Sequence, residues 1–222
     1  MYFASRMHAG RMLAAKIVPK YKDQDCAILA LNDGGVMVGA QIARELNCVL
    51  MLLLTDEITL PREPEALAGV TSGGDFAYNS TLSSGEIDEY VSEFHNFIEQ
   101  EKLRTVHELN RMVKKGSVVE KRLLRNKNII LVADGLSNPF DLDLALAYLK
   151  TVIVQHLVFA IPLASVKVVD KMHVTGNDIY CLSVVEDYID TDHYYDKHDI
   201  PPHEEIIAML KKLIADWTAN NA

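Results

Sequence analysis

A chain of 222 residues, 49% of them hydrophobic and 24% charged, has enough apolar side chain to bury a substantial core in one α/β domain. Its net charge of −9, with no basic stripe, excludes nucleic acid or an anionic membrane as a general partner, because phosphate surfaces require clustered Lys and Arg. Residues 1–20 lack the apolar core of a secretory leader, and no apolar run approaches the roughly 18 residues of a membrane span. A cytoplasmic protein is expected, and Cys26, Cys48 and Cys181, beside apolar runs and without Cys-x-x-Cys spacing, read as buried reduced thiols.

In chain order, Ser5 caps a helix carrying Met7, Leu13, Ala14 and Ile17 that should stop before Pro19. Cys26 to Leu31 reads as a buried strand. The turn Asn32-Asp33-Gly34-Gly35 leads to a helix from about Val36 to Leu46, and Cys48 to Leu54 is the next strand, a parallel β-α-β unit. Between Thr55 and Ser84 the period is lost among Pro61, Pro64, Gly69, Gly73 and Gly74, which predicts loops with a small hairpin. Glu86 to Lys115 has helical spacing and ends at Gly116.

Ile129 to Ala133 is a short unbroken apolar run of the kind buried on both faces of a parallel sheet. The turn Asp134-Gly135-Leu136-Ser137 follows it. Asn138 as N-cap, Pro139 at the first helical position and Leu142, Ala145, Leu146 and Leu149 then predict a helix, with Asp141 at its third position reaching back to the cap and the positive helix end. On that reading, replacing Asp141 by Thr costs stability. His156 to Ile161 is a strand broken by Pro162, Ala164 to Met172 a short helix and Asp178 to Ser183 a further strand. An acidic, aromatic stretch from Glu186 to Pro202 precedes a closing helix, His203 to Trp217.

Strands alternating with helices predict a three-layer α/β/α domain with a mostly parallel, doubly wound sheet. The whole of 1–222 is expected to be one domain, with a hood or insertion at about 55–125 and a C-terminal acidic segment plus helix at about 186–222. The turns at 32–35, 55–58 and 134–138 should share the carboxyl edge of the sheet, where such folds bind ligands. Asp33, Asp56, Glu57, Asp134 and Asp141 lie on them. They read either as solvated turn and cap residues or as an acidic pocket for a divalent cation, an amine or a basic partner.

Asp190, Asp192, His193, Asp196, His198, Asp199 and His203 resemble a metal-ligand cluster, but the spacing fits no standard motif, and a solvated or self-associating tail is the simpler reading. Neither Ser137 nor Ser165 lies in a nucleophile elbow.

Taken together, Phe3-Ala-Ser-Arg6 with Ala9-Gly10 and Leu13-Ala14, Ala30-Leu-Asn-Asp-Gly-Gly-Val36 with Gly39-Ala40 and Ile42-Ala43, Pro61, Pro64-Glu65 and Gly69, Ile130-Leu-Val-Ala-Asp-Gly-Leu136 and Ala160-Ile-Pro162 resemble the type I phosphoribosyltransferase family. The resemblance is to its small bacterial branch of uncharacterised substrate and covers nearly the whole chain. It implies a doubly wound sheet, a hood, and phosphoribosyl pyrophosphate with Mg²⁺ as substrate.

It also implies a set of ligand-binding positions: Asp33, Gly34 and Gly35 in the pyrophosphate turn, Glu57 after the second strand, and Asp134, Gly135, Leu136, Ser137, Asn138 and Asp141 in the phosphoribose loop. Several depart from the family pattern. Asp33 stands where the family has Arg before the two glycines, and Glu57, after Asp56, where the branch has Lys. Ala133-Asp134 replaces a pair of acids, and Asn138-Pro139-Phe140-Asp141 replaces the Thr-Gly-x-Thr phosphate cradle. Two charge inversions facing a polyphosphate are each worth a few kcal/mol at an effective dielectric of about 20. Two classes of function stay open: a homologue that has lost the substrate and acts as a binding or regulatory module, and an active transferase with a rearranged site. No catalytic residue is assigned. Mg²⁺ is the candidate metal, and a small molecule, a protein or a second copy the candidate partner.

Overall fold

The computed structural model describes residues 2–114, 121–175 and 178–221. In chain order its elements are α1 (Arg6–Tyr21), β1 (Cys26–Ala30), α2 (Asp33–Leu46), β2 (Val49–Leu52), β3 (Thr55–Thr59), β4 (Ala66–Thr71) and β5 (Phe76–Tyr78). Then come α3 (Ser84–Lys114), α4 (Lys121–Leu124), β6 (Asn128–Val132), α5 (Phe140–Leu149), β7 (His156–Ser165), α6 (Val166–Val174), β8 (Asp178–Val185) and α7 (His203–Asn221). The chain divides into two compact units, one of Met1–Leu52, Ser117–Asn138 and Val152–Ala222, the other of Leu53–Gly116 and Pro139–Thr151.

The first unit holds the expected α/β architecture, a sheet of order β2-β1-β6-β7-β8 with all four pairings parallel and helices on both sides. β1 and β6 are apolar throughout apart from Asn128, and every residue is buried, as the absence of alternation required. Helices α1 and α2 pack on each other, α6 on β7 and β8, and α7 on β2 and α2. Numbered within this sheet, the order is 2-1-3-4-5, so the winding reverses between β1 and β6, and a crevice for a ligand belongs at their carboxyl ends.

The second unit is a three-stranded antiparallel sheet, β3-β4-β5, where loops and a small hairpin were expected. All six β4 residues are buried, with α3 packed on β3 and β4 and α5 on β4 and β5. A strand covered on both faces shows no period of two, and this one is built from Ala, Leu, Gly and Val. The insertion expected over 55–125 is thus joined by 139–151, so α5 packs on the hood sheet.

Other boundaries differ from expectation for identifiable reasons. Helix α1 continues through Pro19 to Tyr21, because a proline in the last turn removes only one hydrogen bond. Strand β7 runs through Pro162 to Ser165; the pairing with β8 skips Pro162 between Ile161↔Cys181 and Leu163↔Ser183, so the proline interrupts one position of the ladder without ending the strand. Helix α6 consequently starts at Val166, with Ser165 as its cap, the Oγ accepting from Val168 N at 3.3 Å. Helix α3 departs from helical geometry at Phe94 (φ −110°, ψ 19°), and its expected stop, Lys115 and Gly116, lies outside the described residues. Among the described residues no helix is long and apolar enough to cross a membrane.

Candidate functional site at the switch point

The residue that organises the first unit's carboxyl edge is Arg6, at the first position of α1. Ser5 supplies the cap, its Oγ accepting from His8 N at 3.1 Å. A cation at the positive end of a helix is misplaced unless carboxylates surround it, and they do. Arg6 Nε donates to Asp134 Oδ2 at 2.6 Å, Nη2 donates to Asp192 Oδ1, and Nη1 lies 3.6 Å from Asp199 Oδ1. The guanidinium also stacks over the Tyr195 ring, 4.5 Å from its centroid. The Arg6 side chain is 1% exposed and that of Asp134 5%. Burial raises the Asp134 carboxyl above its ordinary value while Arg6 acts against it, and the bond from Arg6 holds Asp192 below its own.

Glycines fix how closely the two central turns approach. Asn32, at the end of β1, caps α2 by accepting from Gly35 N at 2.6 Å, so the expected tight turn is the first turn of α2 and begins at Asp33. A Cβ on Gly34 would overlap the Asp134 carboxylate, and one on Gly35 would come within 2.7 Å of Val132 O. A Cβ on Gly135 would overlap the Tyr188 hydroxyl. The segment that follows β8 therefore lies directly against the turn after β6. Tyr195 OH donates to Asp134 O at 2.7 Å, Tyr194 and Tyr195 are buried, and Asp196 N donates to Phe3 O.

These side chains leave a crevice of about 510 Å³ lined by Arg6, Asn32, Asp33, Gly34, Asp134, Asp190, Thr191, Asp192 and Ile200. Asp33 pairs with His203 Nδ1 at 2.9 Å. Apart from Arg6, the charged side chains of the lining are all acidic. Polyphosphate would meet repulsion there and an amine or other cation attraction.

The structure thus brings Asp33, Gly34, Gly35, Asp134 and Gly135 to one edge, as expected. Leu136 is buried, and both its backbone groups are engaged, N donating to Leu163 O and O accepting from Ser165 N. Ser137 and Asn138 are exposed, and Ser137 O accepts from Ser165 Oγ at 2.8 Å.

Glu57 and Asp141 belong to the second unit. Asp56 and Glu57 lie in β3 and not on a turn. The capping assigned to Asn138 and Asp141 is corrected: α5 starts at Phe140 behind Pro139, with no side-chain cap bond, and Asp141 is its second residue. Burial, and then Glu57, push the Asp141 carboxyl up to about 6, opposite to the lowering that a carboxylate bonded at a helix N-terminus undergoes. Glu57 itself is raised by burial and by Asp56.

No group of three or more His, Cys, Asp or Glu among the described residues is placed to hold a metal ion, and the Asp134 carboxylate is committed to Arg6. The residues present do not fit a ready-made Mg²⁺ site. The 186–202 stretch is also not a solvated tail, one of the two readings expected of it, since Asp192 and Asp199 pair with Arg6, Tyr194 O accepts from Phe3 N, and Tyr195 bonds the β6 turn.

Among solved structures, the protein TT1426 from Thermus thermophilus superposes with a TM-score of 0.73 at 24% identity, over 96% of this chain and 99% of that one. The two share a fold. Adenine phosphoribosyltransferase from Thermoanaerobacter pseudethanolicus aligns at TM-score 0.43 and 12% identity, over 81% of this chain and 80% of that one. A hypoxanthine-guanine-xanthine phosphoribosyltransferase aligns at 0.41 and 14%, over 90% and 85%. Similarity at that level defines neither ligand nor activity. No protein-family model and no curated protein matches the chain.

Arg6 and Tyr195 were not singled out from sequence as site residues, and Asp192 and Asp199 only as members of a metal-ligand-like cluster and not as partners of Arg6. The available signal was Arg6 itself, a cation directly after an N-cap Ser.

Proposed function

We propose that this protein keeps a phosphoribosyltransferase-like architecture, of the small bacterial branch, without binding phosphoribosyl pyrophosphate productively, and that it acts as a binding or regulatory module through the switch-point crevice. The observation that carries this reading is the Arg6–Asp134 pair. Asp134 is the remaining acid of the pair that the resemblance assigns to the ribose hydroxyls, and its carboxylate is buried and engaged by Arg6. Asp33, where the family has a cation, adds negative charge to the crevice, and Pro139 offers no N–H to a phosphate. Raised Cys26 and Cys48 thiols, Cys26 to about 11 by burial, suit a protein of the reducing cytoplasm.

One observation favours the second reading, an active transferase with a rearranged site: Asp33 and Gly34 still open α2 at the carboxyl end of β1, a position suited to an anion. Calorimetry and thermal shift with Mg²⁺ and phosphoribosyl pyrophosphate separate the two. The module reading expects no saturable heat and no stabilisation. Ligand at about 100 times its dissociation constant would stabilise the fold by about 2.7 kcal/mol, and a micromolar constant would overturn the reading that the site has lost this substrate.

A further inference from the structure

The two edges of the parallel sheet are treated differently. At one edge, β2 is four residues long, wholly buried, and packed by α7 and α2. At the other, β8 is eight residues long, seven of them partly exposed and Val184 54% exposed. Its faces meet α1 and α6. Among the described residues no backbone group outside the β7 ladder bonds to residues 178–185. The strand Asp178-Ile-Tyr-Cys-Leu-Ser-Val-Val185 contains no Pro, Gly, Lys or Arg, the devices that ordinarily keep an edge from pairing. Its single charge, Asp178, is bonded by Lys20 and Tyr21.

We propose that β8 is a self-association edge, on which the β8 of a second copy pairs antiparallel across a two-fold axis to join two five-stranded sheets into one of ten. The strand complements itself. Opposed residues must share a face, so the axis passes through a residue position. With the axis at Cys181, Asp178 opposes Val184 of the second copy, Ile179 opposes Ser183, Tyr180 opposes Leu182 and Cys181 opposes its own counterpart. Residues 178–184 find partners and no like charges face each other.

The ends also match in charge. Lys20 lies beside the start of β8, exposed Glu186 and Asp187 follow its end, and antiparallel pairing brings each cation to the other copy's acids. A two-fold arrangement closes on itself, so a discrete dimer forms and not a fibre. One shared ladder is a small interface, so the dimer dissociates at micromolar concentrations, about 10–100 µM.

Sedimentation velocity of the full chain from about 5 to 500 µM tests this, with circular dichroism of each variant to verify folding. A reversible monomer–dimer equilibrium is expected. Cys181→Lys, which sets two cations face to face across the axis, should weaken it by about tenfold or more. Lys20→Glu should weaken it as well, and Lys20→Glu combined with Glu186→Lys should restore it. Lys20 and Glu186 are exposed, so the charge swap tests the interface even if Cys181→Lys fails to fold. A chain monomeric throughout the range, a dimer indifferent to Cys181→Lys and to the charge swap, or open-ended polymers would overturn the proposal.

Discussion

Asp141 has a carboxyl at about 6, against an ordinary value of 3.8, through burial and then Glu57. Because the folded value lies above the unfolded one, the proton is held more tightly by the folded chain. The associated stability is present below about pH 4 and is lost as pH rises through about 6, at 1.36 kcal/mol per pH unit and so by at most about 3 kcal/mol. Asp141→Asn should therefore be close to neutral at pH 4 and stabilising at pH 7.5, which urea denaturation at the two pH values would show. An equal effect at both would remove the role given to the charge. The expectation that Asp141 supports its helix is thus reversed in sign. Its spacing behind Asn138 and Pro139 was legible, but the nearby Glu57 is 84 positions away in sequence. At Arg6 the structure leads to a different test. Arg6→Met strands the Asp134 carboxylate in the interior and should cost about 3–5 kcal/mol, much of it recovered when Asp134→Leu is added.

Helix α2 shows how an element can be read correctly while its task is missed. The strand, the glycines and the helix were all visible in Cys26 to Leu46, yet Asn32 proved to be the cap and the glycines the first turn. Two glycine substitutions separate propensity from packing. Gly85, near the start of α3, has nothing within 4 Å of a would-be Cβ, so Gly85→Ala should stabilise by up to about 1 kcal/mol. Gly34→Ala makes the same change in backbone freedom but drives a methyl into the Asp134 carboxylate and should cost about 1–3 kcal/mol or more. Thermal denaturation of the pair gives opposite signs if close approach is what Gly34 provides. Strands buried on both faces were legible where Val, Ile and Leu filled them, as in β6. Strand β4 was not, because its Ala and Gly residues are also the residues of loops.

A net charge of −9 acts on the molecule as a whole. Self-repulsion should make the fold more stable as NaCl rises from 10 to 150 mM and the Debye length falls from about 30 to 8 Å. Each kcal/mol gained raises the melting temperature by about 2–4 °C in a chain of this length, and scanning calorimetry at the two salt concentrations measures it. A fall would mean that exposed pairs such as Arg104–Glu101 outweigh the repulsion. The α/β class was legible at this scale from the alternation of elements, whereas the allocation of α5 to the hood sheet was not. Nothing in a largely apolar helix names the sheet it will cover. That allocation has a consequence for the order of synthesis. The β3-β4-β5 sheet leaves the ribosome about sixty residues ahead of α5, so Gly69 and Gly73, which will face Leu144 and Tyr148, wait uncovered for about 3–12 s at ~5–20 residues per second. During those seconds the nascent chain presents an apolar sheet surface to chaperones and to neighbouring chains. Its small side chains make that surface less adhesive than a strand of Val and Ile would be.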